Sequence, residues 1–234
     1  MKRLLCFDLD GTLTQHRSKL GAENKAVLDE LSKKYKIIMV GAGNAPRIYG
    51  QMNEYPIDII ANYGMQESKI IDGKFTIIRE DVSLPDKAYF LEKIAYLRKK
   101  YGYTEYKGES VEFHSTGMVT FPLLGTKAEV ADKIAFDPTR EKRRVLYPEV
   151  LEIFKDYTVY IGGSSSFDFS GKEYNKYDAV MKYAKENGYK KDEILYIGDD
   201  FGDGGGDSHI RLGNMDYIEI TDYKRLRESL SHLF

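Results

Sequence analysis

The sequence predicts an α/β protein whose main domain is a doubly wound, mainly parallel, Rossmann-like sheet that is interrupted by a smaller α+β domain. Two observations predict the sheet: short apolar runs alternate with helical patterns at both ends of the chain, and two of these runs end in acidic clusters. The alternation stops near Leu84 and resumes near Asn175. We therefore assign residues 1–82 and 172–234 to the sheet domain and residues 83–171 to the insertion.

The sheet domain is built from short apolar runs and amphipathic helices. Apolar runs of strand length predict strands at residues 4–7, 36–40, 57–60, 193–197 and 217–220, with a hairpin at 68–78 around Asp72-Gly73. Apolar residues at helical spacing predict helices at residues 22–35, from Lys176 onward, and at 222–233.

The insertion follows a helix–strand–strand pattern that occurs twice, so we expect an αββαββ domain. The helices are predicted at residues 85–100 and 139–155, and the strands at residues 110–113, 118–121, 158–161 and 165–169. Pro148 falls inside the second helix and should either kink it or mark its true beginning.

Composition limits the classes of function. The chain has 234 residues, of which 31% are charged and 42% hydrophobic, and a formal net charge of −2. We expect no nucleic-acid partner, because the chain has no broad basic field, and no membrane association. The N-terminal apolar run is too short for a signal peptide or a span, and the single Cys6 cannot form an intrachain disulfide, so we expect a cytoplasmic protein.

Two carboxylates follow the first predicted strand. Asp8 and Asp10 are two positions apart, so an extended chain directs both side chains the same way, and Gly11-Thr12 then turns the chain into a loop. Ligands of open α/β sheets bind at the carboxyl ends of strands. One carboxylate could act as a nucleophile and the other as a general acid/base, with a divalent metal between them; an ordinary solvated acidic turn is the alternative.

The string D-x-D-G-T-L-T after an N-terminal apolar run resembles the first motif of the haloacid dehalogenase (HAD) superfamily of phosphotransferases. This resemblance implies a HAD core and an inserted cap domain. It also implies that Asp8 attacks phosphorus to form a phosphoaspartate, while Asp10 protonates the leaving group and then activates the acceptor.

A second acidic cluster follows the strand predicted at residues 193–197. The loop from Gly198 to Asp207 contains four carboxylates among several glycines, and Mg²⁺ takes only one or two carboxylates in most sites. The HAD resemblance implies that Mg²⁺ is held by Asp8, Asp199 and the main chain at Asp10, with Asp207 in support. It also implies that Lys176 neutralises charge on the nucleophile and the phosphoryl group.

The second predicted strand runs into Gly41-Ala42-Gly43-Asn44, and Pro46 suits the first turn of a helix. We expect unpaired backbone N–H groups there to bind phosphate. HAD enzymes have a serine or threonine at the position of Gly43. This departure leaves the backbone at Gly41 and Gly43, or the side chain of Asn44, to bind phosphate.

The insertion resembles the eukaryotic-type phosphomannomutases. Residues 161–168 and 174–176 resemble their IGG-x-x-SFD…WDK stretch, and residues 111–125 resemble their E-F-R-N-G-M…G-R stretch. Together with the catalytic motifs and Arg17, the similarity covers most of the chain. It implies that Arg17 contacts the substrate and that Ser166 and Asp168 hold sugar hydroxyls.

Three arginines that clamp the non-reacting phosphate in those mutases have different counterparts here. The matching positions are His114, Thr126 and Lys133, which cannot supply bidentate guanidinium contacts. Candidates for compensation are Lys127, Arg140, Arg143 and Arg144.

The sequence therefore predicts a Mg²⁺-dependent phosphotransferase that acts through a phosphoaspartate on a mannose-like hexose phosphate. Because the clamp is altered, we favour a sugar-phosphate phosphatase; a phosphomannomutase that interconverts mannose 6-phosphate and mannose 1-phosphate is the alternative. A non-catalytic sugar-phosphate-binding homologue is a remoter alternative, and a receiver-type signalling domain is disfavoured by the long insertion. The expected partner is a small sugar phosphate, and a homodimer is left open.

Overall fold

A computed structural model describes all residues from Met1 to Phe234, and the chain divides into two compact units. Unit 1 contains Met1–Asp81 and Tyr174–Phe234, and unit 2 contains Val82–Glu173. The predicted domain boundaries lie within two residues of these limits. None of the helices combines the length and apolar character that crossing a bilayer requires.

Unit 1 is built on a seven-stranded sheet. The strands are β1 (Leu4–Phe7), β2 (Lys36–Val40), β3 (Asp58–Ala61), β4 (Gln66–Ile71), β5 (Lys74–Glu80), β10 (Ile194–Gly198) and β11 (Tyr217–Glu219). Their order in the sheet is β11-β10-β1-β2-β3-β4-β5; the first five of this order pair in parallel, and the hairpin of β4 and β5 adds an antiparallel edge. The predicted doubly wound α/β architecture is confirmed.

Strand β1 lies inside this sheet and determines where the acidic residues fall. All four of its residues are buried, and it pairs with β10 on one side and β2 on the other. Phe7 is in register with Ile197 of β10 and Met39 of β2. Consequently Asp8, the residues after Gly198 and the loop from Gly41 all leave the sheet at one edge.

Helices cover both faces of the sheet and enclose two hydrophobic cores. One core joins alternate residues of β1 and β2, such as Leu5 and Met39, to α1 and the C-terminal segment. The other joins Cys6 and Ile38 to Val180 and its neighbours on α6. The helices are α1 (Ala22–Leu31), α2 (Ala45–Gln51), α6 (Lys176–Glu186), α7 (Ser208–Leu212) and α8 (Leu226–Ser229).

Unit 2 is a four-stranded antiparallel sheet with helices packed on it through an aromatic core. The elements are α3 (Lys87–Tyr101), β6 (Glu112–Phe113), β7 (Val119–Pro122), α4 (Val130–Phe136), α5 (Glu141–Ile153), β8 (Tyr157–Tyr160) and β9 (Ser166–Gly171). The strand order is β6-β7-β9-β8. Phe90 is central to the core, and its ring centroid lies 4.8 Å from that of Phe154 and 5.2 Å from that of Phe169.

The structure differs from the predicted elements in three respects. Helices α4 and α7 were not predicted; both are short, and none of the residues of α4 is buried. Pro148 lies within α5, which begins at Glu141, so it does not mark the start of that helix. The closing helix predicted at 222–233 is divided into 3₁₀ turns and α8, although Leu226, Leu230 and Leu233 are buried as the helical pattern predicts.

Candidate active site

The loop after β1 approaches the loop after β10 very closely. Gly11 has a φ of +96°, and a Cβ atom there would lie 2.3 Å from Asp199 Oδ2. The hydroxyl of the buried Thr12 donates a hydrogen bond of 3.2 Å to Asp199 Oδ1. Glycine therefore meets both a conformational and a steric requirement here, and it allows Asp199 to lie against the loop that carries Asp8 and Asp10.

Lys176 connects this loop to the second acidic loop. It is the first residue of α6, whose start is capped by Asn175 accepting from Asp178 N at 2.9 Å. The buried Nζ donates to Asp8 Oδ1 at 2.6 Å and to Asp207 Oδ1 at 2.7 Å. Burial alone would lower the pKa of Lys176, but these two carboxylates raise it above its ordinary value, so the lysine stays charged.

The structure separates the four carboxylates of the second acidic loop by environment. Asp207 is fully buried and also accepts from the hydroxyl of Tyr196 at 2.7 Å. Asp200 Oδ2 accepts from the backbone N–H of Gly206 at 2.8 Å, which closes the loop on itself. Asp203 is 93% exposed and pairs with Arg211. Asp203 therefore faces solvent, whereas Asp199 and Asp207 face Asp8.

The carboxylates of Asp8, Asp199 and Asp207 form a cluster in which one oxygen of each lies within 4.8 Å of the others. Burial raises the pKa of Asp8 to about 7, with Lys176 opposing and Asp207 adding to the shift. Burial, followed by the charges of Asp8 and Asp207, raises the pKa of Asp199 to about 8. Asp8 and Asp207 are buried and Asp199 is half-buried, and a single lysine cannot neutralise all three carboxylates. An oxygen-only donor set of this kind fits a hard divalent cation.

Asp10 lies beside this cluster, and its side chain is not part of it. Its Oδ1 accepts from the backbone N–H of Arg17 and from Nε2 of Gln51, both at 2.7 Å. Its Oδ2 lies 3.6 Å from Nη1 of Arg47. The contact of Arg17 with Asp10 is through the backbone, and Gln51 and Arg47 were not predicted from the sequence. The Asp10 carboxylate is therefore held in place by Gln51 of α2 and by the backbone of Arg17.

Two N–H groups in the first turn of α2 are already hydrogen-bonded within the protein, and Gly41 N donates to Ile60 O at 2.9 Å. A phosphate contact through the backbone of Gly43 stays a prediction. Gln66 Oε1 accepts from Ala45 N at 3.0 Å, and Asn44 Oδ1 accepts from Arg47 N at 2.9 Å. Pro46 has no N–H to offer. Asn44 acts as the N-cap of this helix, so its side-chain oxygen is committed to the backbone.

In unit 2, Asp168 belongs to a hydrogen-bonded chain of side chains across β7 and β9. Thr120 Oγ1 donates to Asp168 Oδ1 at 2.8 Å, and His114 Nε2 lies 3.0 Å from the same hydroxyl. Because the only hydroxyl proton of Thr120 is directed to Asp168, His114 must donate its Nε2 proton to Thr120. His114 and Asp168, which the sequence predicted separately, therefore belong to one network.

Three further predicted residues of unit 2 make local contacts. Ser166 Oγ donates to Gly162 O at 3.1 Å. Thr126 Oγ1 accepts from Glu109 N at 2.9 Å, and Thr126 O accepts from Lys133 Nζ at the same distance. The structure therefore brings Thr126 and Lys133 together.

Arg143 was a candidate for replacing the altered clamp, and the structure excludes that role. It is 1% exposed and pairs with Asp137 through Nε at 2.9 Å. Its Nη1 donates to Gly162 O at 2.7 Å and to Gly163 O at 3.1 Å. The guanidinium is committed to the interior of unit 2 and to the backbone before β9.

Tyr196 is the clearest site residue that the sequence did not predict. It lies in β10, where every residue is buried and the pattern indicates only a core strand. A tyrosine inside an apolar strand is usually a core residue. The only indication in the sequence that Tyr196 belongs to the site was its position shortly before the acidic loop.

Comparisons with known proteins agree with this geometry. The family model described as haloacid dehalogenase-like hydrolase matches residues 5–204. A phosphomannomutase of Schizosaccharomyces pombe is 27% identical over 225 residues, which span 89% of this chain and 85% of that protein.

Two solved structures have the same fold. A phosphatase of the haloalkanoate enzyme superfamily from Bacteroides thetaiotaomicron superposes with a TM-score of 0.64 at 18% identity, covering 100% of this chain and 95% of that one. A sugar phosphatase of HAD subclass IIB superposes with a TM-score of 0.62 at 17% identity, covering 99% and 98%. The chain therefore belongs to the haloacid dehalogenase-like hydrolase family and is an enzyme, as the aspartate motif after β1 predicts.

Proposed function

We propose that this chain is a Mg²⁺-dependent phosphotransferase that acts on hexose phosphates through a phosphoaspartate, with hydrolysis as its main reaction. The observation that carries this proposal is the contact of the buried Lys176 with both Asp8 and Asp207, beside Asp199. A lysine fixed between two carboxylates keeps one carboxylate oriented and offsets charge where an anionic phosphate must approach.

In the proposed reaction a carboxylate oxygen of Asp8 attacks phosphorus, and the bond between phosphorus and the sugar oxygen breaks. Asp10 donates its proton to that departing oxygen, so the sugar leaves as a neutral alcohol. In the second half, Asp10 takes a proton from water as the water oxygen attacks phosphorus. The aspartyl–phosphorus bond then breaks, which regenerates the Asp8 carboxylate and releases inorganic phosphate.

The hydrogen bonds to Asp10 support this assignment. Gln51 Nε2 and the N–H of Arg17 both donate to one oxygen, which fixes the carboxyl group while the other oxygen can exchange a proton. Asp8, Asp199 and the main chain at Asp10 would hold the Mg²⁺ ion, with Asp207 supporting them through Lys176 and Tyr196. A bound Mg²⁺ ion would neutralise phosphate charge and so assist attack by an anionic carboxylate.

The substrate class is proposed from the relatives. One relative is named as a phosphomannomutase and one structural neighbour as a sugar phosphatase, which supports a sugar phosphate as the substrate class, and within it we propose a hexose phosphate. We assign contacts with sugar hydroxyls to Ser166 and Asp168, and a substrate contact to Arg17. Hydrolysis is favoured because His114, Thr126 and Lys133 cannot provide the bidentate grip that arginines give a second phosphate.

Phosphomannomutase activity is the second candidate, and the sequence similarity favours it. The aligned region spans most of both chains at 27% identity. In that reaction the phosphoaspartate would pass its phosphoryl group to a sugar phosphate hydroxyl instead of water.

A substrate screen tests the proposal. The purified chain is incubated with hexose 1-phosphates, hexose 6-phosphates, a pentose phosphate and an aryl phosphate, with Mg²⁺ or with excess EDTA. We expect Mg²⁺-dependent release of inorganic phosphate, greatest with hexose phosphates. Absence of phosphate release and of isomerisation from every substrate would refute the proposal.

A further inference from the structure

The side chain of Arg47 occupies the space above Gly43. A Cβ atom on Gly43 would lie 2.1 Å from Nη2 and 2.3 Å from Nε of Arg47, and both distances are far shorter than any real contact. Gly43 does not have a positive φ, so the glycine is not required by an unusual backbone conformation. Its lack of a side chain is instead what lets the guanidinium lie against the backbone at the end of β2.

The guanidinium lies beside the candidate catalytic residues. Its Nη1 is 3.6 Å from Asp10 Oδ2 and donates to Gln51 Oε1 at 3.4 Å. Both contacts are long for charge-assisted hydrogen bonds, which are usually about 2.7–2.9 Å. The side chain is 39% exposed, so it remains accessible to an incoming ligand. Arg47 is therefore near Asp10 without being tightly paired to it.

The acidic character of the site makes a second cationic side chain useful for binding an anion. Lys176 is already shared between Asp8 and Asp207, and Asp199 and Asp10 add further negative charge. A phosphate group that enters carries negative charge of its own. Two N–H groups in the first turn of α2 are not free for it, because Ala45 N and Arg47 N are already bonded. An arginine has the charge and the forked donors that suit phosphate oxygens.

We propose that Arg47 binds the phosphate group at this site, and that Gly43 is a glycine because the guanidinium takes the place of a side chain there. The inference rests on the proposed function for its substrate. It assigns to one residue of α2 the contact with phosphate that the sequence assigned to the backbone and to Asn44. When a phosphate arrives, the guanidinium exchanges its long contact with Asp10 for short contacts with phosphate oxygens.

The first test measures phosphate binding and turnover in parallel. Inorganic phosphate affinity is measured by calorimetry with Mg²⁺, and kcat and KM are measured with a hexose phosphate. We expect Arg47→Ala and Arg47→Gln to weaken phosphate affinity by roughly 10- to 100-fold, since a hydrogen bond to a charged group contributes that much. Arg227→Ala removes an exposed arginine that pairs with Glu30 and is the matched control.

The second test uses the steric relationship with Gly43. Gly43→Ser in the wild-type background should lower phosphate affinity, because its Cβ displaces the guanidinium. In an Arg47→Ala background the same substitution should reduce phosphate affinity only slightly, because the space is then empty and the serine hydroxyl can donate to phosphate. If Gly43→Ser reduces phosphate affinity equally in both backgrounds, the inference that Arg47 occupies this space is overturned.

A third comparison separates binding of phosphate from positioning of Asp10. In an Asp10→Asn background the loss of phosphate affinity on Arg47→Ala should persist. If the loss disappears there, Arg47 acts through Asp10 and the proposal fails. Thermal midpoints of all variants identify any that do not fold, and Arg47→Gln keeps most of the side-chain volume if the alanine variant is among them.

The outcomes also distinguish this inference from the proposed function. Wild-type phosphate affinity in both arginine variants overturns the inference, even if hexose phosphates are hydrolysed. If no monoester is turned over but phosphate binds in an Arg47-dependent manner, the proposed function fails and the assignment of Arg47 stands. If wild type does not bind phosphate at all, the inference is overturned as well.

Discussion

Lys176 Nζ lies 2.6 Å from Asp8 Oδ1, although the two residues are 168 positions apart in the chain. Packing produces this contact: α6 places Ala179 and Val180 in the same core as Cys6, two residues before Asp8. The helix therefore begins at the edge of the sheet where β1 ends. The apolar face of α6 thus positions the helix against β1, and this position brings the charge of its first residue, Lys176, to Asp8.

The first prediction concerns the nucleophile. Asp8→Asn should reduce phosphate release from hexose phosphates to below roughly one thousandth of wild type, because the amide is a poor nucleophile and a weaker metal ligand. Inorganic phosphate is measured over time at saturating Mg²⁺.

Asp203→Asn is the matched control for this variant, since Asp203 is an exposed acid of the second acidic loop. It should retain wild-type turnover. Substantial activity in Asp8→Asn would mean that no phosphoaspartate forms on this residue.

The sequence was sufficient for the parts of the site that follow strands. Asp8 and Asp199 could be predicted as neighbours because both follow apolar runs, and the carboxyl ends of parallel strands share one edge. The HAD resemblance supplied Lys176, which a helix start alone would not single out. These predictions depended on local patterns and on a motif.

The parts that the sequence did not predict depend on where individual side chains lie in the folded chain, which no periodic pattern or motif specifies. The sequence around Tyr196 predicts only a core residue, whereas the structure shows that its hydroxyl donates to Asp207. Arg47 lies four residues after Gly43, and only the folded turn shows that its side chain returns over that glycine. Helix α4 has only 7 residues and buries none of them, and its apolar pattern is too brief to distinguish it from a loop.

A second prediction concerns the sugar contact at Asp168. Asp168→Asn preserves shape and can still accept from Thr120, but it removes the charge that strengthens hydrogen bonds to sugar hydroxyls. We expect kcat/KM for mannose 6-phosphate to fall by roughly 10-fold or more, and that for a small aryl phosphate to change little.

Asp156→Asn, at an exposed acid just before β8, serves as the control and should behave as wild type with both substrates. Equal losses on mannose 6-phosphate and the aryl phosphate in Asp168→Asn would show that Asp168 supports the fold of unit 2 rather than the sugar.

A third prediction concerns stability. Arg143→Ala leaves the buried carboxylate of Asp137 without its cation and removes the guanidinium donor from the carbonyls of Gly162 and Gly163. Breaking a buried pair of this kind costs about 3–5 kcal/mol in the free energy of unfolding. Urea denaturation followed by circular dichroism measures it.

Arg144→Ala is the control for this measurement, because the adjacent arginine is exposed. Its free energy of unfolding should change by less than about 0.5 kcal/mol, as is usual for surface positions. If Arg143→Ala and Arg144→Ala change the free energy of unfolding by similar amounts, the buried contacts of Arg143 do not stabilise unit 2.

A fourth prediction follows from the pKa of Asp137. Burial alone would raise this pKa, but Arg143 and the backbone N–H groups of Lys142 and Arg143 lower it below its ordinary value. A carboxyl with a lowered folded-state pKa stabilises the protein above its unfolded pKa of about 3.9 and loses that contribution as the pH falls further. The difference in unfolding free energy between wild type and Asp137→Asn should therefore shrink below about pH 4.

Acid titrations of both proteins, with urea denaturation at each pH, measure this difference. Glu105→Gln, at an exposed acid in the same unit, should follow wild type throughout. A difference between wild type and Asp137→Asn that stays constant down to the acid transition would contradict the assignment of the lowered pKa to Asp137.

The last prediction concerns which acceptor takes the phosphoryl group. A mutase must retain a sugar bisphosphate and bind it in two orientations, which requires fixed positive charge for the distal phosphate. His114, Thr126 and Lys133 offer weaker contacts than arginine forks, and each charge-assisted hydrogen bond lost costs about 1.5–3 kcal/mol. We therefore expect mannose 1-phosphate and mannose 6-phosphate to be hydrolysed faster than they are isomerised, even with a hexose 1,6-bisphosphate as activator.

A phosphorus NMR time course resolves inorganic phosphate from the isomeric monophosphate. If hydrolysis is the faster reaction, inorganic phosphate appears before the isomeric monophosphate at every concentration of the bisphosphate activator. If the isomer accumulates first, the enzyme is a mutase whose distal phosphate is held by other cations. Arg143 is not one of them, because its guanidinium is buried against Asp137 and the backbone of Gly162. Lys127 and the exposed Arg144 would then be the residues to replace, and loss of isomerisation with retained hydrolysis would locate the clamp.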